Sequence, residues 1–315
     1  MKEARFYQSD GDTVTCGLCA HHCRIKNKRR GICGVRENRD GVLYTLSFGK
    51  VSAEHVDPIE KKPLFHFLPG SLTYSIATVG CNFKCLHFQN YSLSQAGPQV
   101  QRIPHLRKVP ENIVETARMA GCASISYTYS EPTVFFEFAY ECAELAQRQG
   151  LKNVFVSNGY MSSDAAAALV QVLDGINIDI KAFSEEFYRS ICGGSLQQVL
   201  DNVRYFRDRG VWVEATTLVI PELNDSEEEL QRLAAFICSV DPALPWHVSA
   251  FRPTYKMTDR LPTPSQVLNR ARDIGHDAGL RHVYIGDVRG GGGEDPGGPA
   301  CATAVIRRQG GRGGG

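Results

Sequence analysis

Thr78-Val79-Gly80-Cys81-Asn82-Phe83-Lys84-Cys85-Leu86-His87-Phe88-Gln89-Asn90 follows an apolar run, 72–79, that reads as a buried strand. Beyond it Gly80 opens a loop on which two cysteines stand four residues apart. Two thiolates so close on a loop point to a metal, because soft sulfur selects zinc, copper(I) or an iron–sulfur cluster. Working outward, short β-branched or aromatic runs alternate with longer stretches of helical periodicity from residue 71 on. Strands are predicted at 72–79, 124–129, 153–157, 176–180, 211–219, 247–251 and 282–285, and helices at 111–120, 134–149, 163–173, 196–209, 226–238 and 265–278. Ser226 with Glu229 three residues on is a capping box, and Gly150, Gly210 and Gly279 sit where helices should end. Six strand–helix repeats mean an α/β chain with a parallel sheet and helices outside it. A doubly wound open sheet and an open or closed barrel both suit that count.

Composition narrows the class. The 315 residues, 43% of them apolar, are enough for a sizeable core. Thirty-five Lys and Arg against 34 Asp and Glu leave a net charge of +1, which gives no reason to expect nucleic acid or a membrane surface as partner. The apolar runs fall far short of the roughly 18 residues a membrane span needs. Met1-Lys2-Glu3-Ala4-Arg5 lacks the apolar core of an export signal. Eleven cysteines in an unexported chain argue for reduced thiols and metal ligation, with the cytoplasm as the expected compartment.

Three regions are expected: an N-terminal Cys-rich segment with a wrapped connection (1–70), a core (71–288) and a Gly-rich, disordered tail (289–315). The first holds Cys16, Cys19, Cys23 and Cys33 among polar residues and glycines, with little core of its own. Such segments usually need a metal to fold. A four-thiolate zinc site, an auxiliary iron–sulfur cluster and unligated thiols all suit the spacing, and His21 or His22 can stand in for one thiolate. Residues 42–48 and 51–56 alternate as a hairpin-like pair of strands. Pro58, Pro63 and Pro69 make 57–71 an extended, wrapped connection.

In a parallel α/β architecture ligands bind beyond the carboxyl ends of the strands. That rule collects the Cys81/Cys85 loop, Ser130-Glu131-Pro132-Thr133, Asn158-Gly159-Tyr160, Asp179-Ile180-Lys181, then Glu214, Thr216 and Thr217, and Trp246-His247. Taken singly each is weak. Together, on strands otherwise apolar, they predict a ligand site at one rim.

Residues 78–85 with Gln89-Asn90, then Tyr127-Thr128-Tyr129-Ser130-Glu131-Pro132-Thr133, resemble the radical S-adenosylmethionine (SAM) proteins related to pyruvate formate-lyase activating enzyme. The N-terminal cysteines, Gly31-Ile32-Cys33-Gly34-Val35-Arg36, 57–71, 177–183, 245–251 and 284–288 resemble, more narrowly, the AmmeMemoRadiSam-system radical SAM enzyme. The resemblance implies a partial (β/α)6 barrel carrying a four-iron four-sulfur, [4Fe–4S], cluster on three cysteines, with SAM on the fourth iron. Reductive cleavage of SAM would give a 5′-deoxyadenosyl radical that takes hydrogen from an unidentified substrate. By motif match Cys81 and Cys85 hold the cluster, and Ser130 and Glu131 meet the SAM amino group. Asp179 and Lys181 approach its ribose or carboxylate, His247 lies near the adenosyl moiety, and His87 stands beside the adenine. The resemblance also implies a reductant such as flavodoxin or ferredoxin. A protein substrate, or AMMECR1-like and Memo-like proteins, are the other partners it suggests.

Two positions depart from the pattern. Phe88 stands where the third cluster cysteine belongs, and phenylalanine has no lone pair for a metal. In the tail, Gly298-Pro299-Ala300-Cys301 looks like a CPxC pair without its first cysteine. A labile or [2Fe–2S] cluster, a surrogate ligand and no cluster are the alternatives this leaves. The competing function is a non-catalytic SAM- or metal-binding protein on the same fold.

Overall fold

The computed structural model describes residues 1–95, 104–286, 307–309 and 312–314. Its centre is one eight-stranded sheet: β1 (Ala53–Pro58), β2 (Leu72–Ala77), β3 (Ser124–Tyr127), β4 (Lys152–Ser157), β5 (Gly175–Asp179), β6 (Trp212–Val219), β7 (Trp246–Ala250) and β8 (Val283–Gly286). Each strand lies beside its sequence neighbour; β1 pairs antiparallel with β2 and every later pair is parallel. A doubly wound sheet reverses its strand order at a switch point. This sheet never does, so the repeat builds a partial (β/α)6 barrel, the architecture the resemblance implied.

The crossovers carry α1 (Pro110–Met119), α2 (Phe136–Arg148), α3 (Ser163–Leu169), α4 (Leu196–Asp208), α5 (Glu227–Val240) and α6 (Ser265–Asp277). Ser226 caps α5 by accepting the Glu229 N–H, but Glu229 does not close a capping box; its carboxylate takes the Phe183 N–H at 2.7 Å. Gly150, Gly210 and Gly279 end helices at φ of +79°, +80° and +99°, conformations that a Cβ would strain. The helix predicted from 134 begins instead as a 3-10 turn, Pro132–Phe135, because Glu131 caps it by accepting the Thr133 N–H.

The predicted 42–48/51–56 hairpin does not form. Val42–Thr45 pairs with Arg36–Arg39 and with Lys2–Glu3, while Ala53–Pro58 joins the main sheet. A second small sheet joins Tyr7–Asp10, Thr13–Cys16 and Arg24–Lys26. Val14, Leu18, Ile25 and Leu43 are buried in the same apolar cluster as the barrel core, so this segment borrows a core. Arg36 and Glu137 form a buried ion pair across that junction. Apart from the antiparallel pair Arg307–Gln309 and Arg312–Gly314, the tail expectations, Cys301 among them, lie outside the described residues.

The proline-bearing connection enters the barrel as its floor. Ile59 and Leu64 pack with Val154 of β4, and Phe67 lies against Gly175 of β5, where an added Cβ would sit 3.2 Å from the ring. The Phe65 and His66 N–H groups donate to Glu214, and the Pro63 carbonyl accepts from Asn177 at 2.8 Å. At its entrance Asp57 holds Lys61 and Lys62, each at 2.7 Å, and the Tyr129 hydroxyl. Burial pulls the Lys62 ammonium down to about 8 although Asp57 opposes it. Removing one partner of a buried pair strands the other charge. Asp57→Asn is therefore expected to cost about 3 kcal/mol, read as a lower urea midpoint with an unchanged m value.

Candidate functional site

The loop after β2 is held by its neighbours more than by its own turns. Gly80 at φ +112° brings the chain so close to the N-terminal segment that a Cβ would meet Val35 at 2.9 Å. The Cys81 sulfur accepts the Phe83 N–H at 3.3 Å. Asn158, just past β4, donates to the Asn82 side-chain oxygen at 2.8 Å, and Asn82 donates to the Tyr160 carbonyl at 3.3 Å. His21 does not face the N-terminal thiols; its Nε2 meets the Asn82 carbonyl at 2.8 Å.

On its other side the loop docks against the end of the chain following β5. Lys84 N–H donates to the Cys192 carbonyl at 2.7 Å, and Leu86 N–H to the Ile191 carbonyl at 3.2 Å. Gly194 allows this approach, because a Cβ there would stand 2.4 Å from the Phe83 ring. The result is three buried cysteines, Cys81, Cys85 and Cys192, in one neighbourhood. Burial pushes the Cys81 thiol well up, with Glu131 and Cys85 adding to it. Burial acts the same way on Cys85, but the adjacent Cys192 thiol as donor and the Lys181 charge outweigh it and bring the net shift down. Cys192 was absent from the sequence-derived site. Its only signal was a cysteine before Gly193-Gly194, outside any metal-ligand spacing.

Asp179 and Lys181, at the end of β5, form an ion pair at 2.9 Å. Burial disfavours the Lys181 ammonium, but Asp179, Cys85 and Cys192 hold its pKa above the usual lysine range. His87 is buried, its Nδ1 without a hydrogen-bond partner among the described residues, and burial with Lys181 pushes it down to about 3. It is a neutral imidazole at physiological pH. Ser130 donates to the Thr78 carbonyl at 2.6 Å. Glu131 is fully engaged: it accepts from Thr133 N–H and hydroxyl, the Ser157 hydroxyl and the Asn158 N–H, at 2.6–3.0 Å. Burial still raises its pKa.

His247 belongs to a different group. Its Nε2 lies 2.6 Å from Glu214, its ring meets Phe65 edge-on at 4.6 Å, and Glu214 also receives the Trp212 indole N–H. These contacts tie it to the floor. The four N-terminal thiols lie within each other's electrostatic reach, and burial pushes Cys33 up to about 11. Arg36 donates to the Cys16 sulfur at 3.4 Å. Among the described residues no three His, Cys, Asp or Glu side chains converge as donors to a single metal ion.

A parallel partial barrel with thiols and charged groups gathered at the carboxyl ends of its strands defines the class as an α/β barrel with a rim site. Residues 75–234 match the Radical SAM superfamily, and the chain belongs to that enzyme superfamily. It is 43% identical over 310 residues to an uncharacterized protein of Methanocaldococcus jannaschii, covering 98% of this chain and 92% of that one. It is 20% identical over 220 residues to the pyruvate formate-lyase 1-activating enzyme of Escherichia coli, covering 65% and 89%. A radical SAM methyltransferase from Sphaerobacter thermophilus superimposes with a TM-score of 0.55 at 14% identity, over 71% of this chain and 68% of that one, a likeness of fold alone. No helix among the described residues is long and apolar enough to cross a membrane.

Superfamily membership implies a [4Fe–4S] cluster and SAM. Cys81 and Cys85 suit the cluster as buried thiols on the loop at the rim. The half-buried Phe88 packs on the core and offers no donor, so the loop does not supply a third ligand at that position.

The Glu214 carboxyl is buried, which raises its pKa, but His247 and the His66 and Phe65 N–H groups hold it below the usual range. A depressed carboxyl contributes stability present above its unfolded pKa, about 4.3, and lost as pH falls. Glu214→Gln is expected to lose about 2 kcal/mol at neutral pH and to show a shallower fall in acid, measured by urea titration across the acid range.

Proposed function

We propose that this chain is a radical SAM enzyme of the pyruvate formate-lyase activating-enzyme type. The observation that carries the reading is the burial of Cys81 and Cys85 at the rim where Asp179, Lys181, Ser130 and His87 also lie. Cys81 and Cys85 hold the cluster. When bound, the cluster and SAM together supply a one-electron cleavage giving methionine and a 5′-deoxyadenosyl radical that takes hydrogen from a substrate. Lys181, kept protonated, offers a point charge to the SAM carboxylate, and Asp179 orients it. The loop at Ser130 and Glu131 meets the amino group, with Glu131 fixing its shape, while neutral His87 packs beside the adenine. His247, expected near the adenosyl moiety by motif match, is held by Glu214 and Phe65 in the floor and is left out of this site.

The narrower placement in the AmmeMemoRadiSam-system branch rests on Gly31-Ile32-Cys33-Gly34-Val35-Arg36 and the 177–183 and 245–251 motifs. It brings a reductant such as flavodoxin or ferredoxin and a protein substrate, with AMMECR1-like and Memo-like proteins as candidate partners. A second reading, a non-catalytic SAM- or metal-binding protein, is favoured by Phe88 alone. Phe88→Cys decides between failure of family chemistry and failure of one ligand. After anaerobic reconstitution the variant is expected to show a [4Fe–4S] electron paramagnetic resonance signal that changes on adding SAM, and to release 5′-deoxyadenosine under reduction. A variant without signal or cleavage overturns the enzyme reading, whereas SAM binding without turnover supports the second.

Cys16, Cys19, Cys23 and Cys33 are proposed as a second metal site, for zinc or an auxiliary cluster, closing on the metal when it binds. About one zinc per chain is expected by elemental analysis, lost in Cys19→Ser. An aerobically purified chain without zinc, and without iron at these cysteines after reconstitution, rejects the site.

A further inference from the structure

We propose that Cys192 supplies the third thiolate of the Cys81/Cys85 site, in place of the ligand that Phe88 cannot provide. The inference rests on the cluster reading above and adds a residue from a different part of the chain. Cys192 stands 104 positions beyond Phe88 in sequence, yet the fold delivers it to the same loop. Two backbone hydrogen bonds, from Lys84 N–H to the Cys192 carbonyl and from Leu86 N–H to the Ile191 carbonyl, clamp its turn against the segment between and beyond the two motif cysteines. Gly193 lies against Lys84, and Gly194 is packed so tightly on Phe83 that no side chain fits there.

The turn is built for close approach. Tyr188–Cys192 is a single π-helical turn, a form frequent at functional sites, and Gly193 at φ +77° reverses the chain directly after the thiol. The three cysteines are buried in one apolar cluster, and the Cys192 and Cys85 thiols are adjacent. Lys181, paired with Asp179 at 2.9 Å, stands close to all three sulfurs. Each thiol gives up its proton on ligation.

The three sulfurs do not converge on a single ion. An iron–sulfur cluster does not require them to, because its thiolates bind separate irons. His87 is the competing donor, being buried with Nδ1 unpartnered among the described residues. The turn carrying Cys192 is hydrogen-bonded to the loop on both sides of Cys85 and its thiol adjoins the Cys85 thiol, which favours sulfur over imidazole.

The test is iron and acid-labile sulfide per chain, with the visible absorption spectrum, on the full chain reconstituted anaerobically, counted above a Cys81→Ala baseline. The unaltered chain is expected to hold about four irons. Cys192→Ala should lose at least tenfold of that iron, His87→Ala should keep it, and Phe88→Cys introduced into Cys192→Ala should restore it. Restoration separates lost ligation from lost folding. Full iron in Cys192→Ala overturns the proposal, as does loss that Phe88→Cys does not restore or loss in His87→Ala alone. If the unaltered chain takes no iron while Phe88→Cys does, the Cys192 proposal falls and the enzyme reading stands. If neither takes iron, the enzyme reading fails as well.

Discussion

The rim depends on one buried carboxylate. Glu131 accepts hydrogen bonds from Thr133, Ser157 and Asn158, and so joins the chain leaving β3 to the chain leaving β4. Asn158, oriented by that contact, in turn donates to Asn82 in the middle of the cysteine loop. A buried acceptor satisfied by neutral donors is costly to break, since each orphaned group forfeits its solvation. The shape of the loop is thus set by a residue at the end of the neighbouring strand. Glu131 is read better as a positioning residue than as a direct ligand.

Much of the fold was legible because its signals are local. Alternating short β-rich and long amphipathic stretches, helix-ending glycines and the Ser226 cap all announce themselves within a few residues. Strand order within the sheet is not local. Periodicity allowed a doubly wound sheet as readily as a barrel, and the pairing of each strand with its sequence neighbour separates them. The mispredicted hairpin has the same origin: 42–45 and 53–58 both alternate well, but each finds a better partner elsewhere.

The site shows the same division. Cys81, Cys85, Asp179 and Lys181 were marked by motif and by strand ends, and the fold brings their electrostatics together. His247 was marked too, yet its partner Glu214 and the Phe65 ring tie it into the floor. Cys192 escaped notice because a cysteine distant in sequence carries no spacing signal. Two glycines after it were the only trace of the close packing that makes it a neighbour of Cys85.

The stoppered floor has a consequence for traffic. Residues 59–67 fill the amino-terminal end of the barrel with Ile59, Leu64 and Phe67, and their backbone is tied to Asn177 and Glu214. That end is closed by the chain's own residues, which leaves the opposite rim, where the cysteine loop stands, as the side from which a ligand would approach.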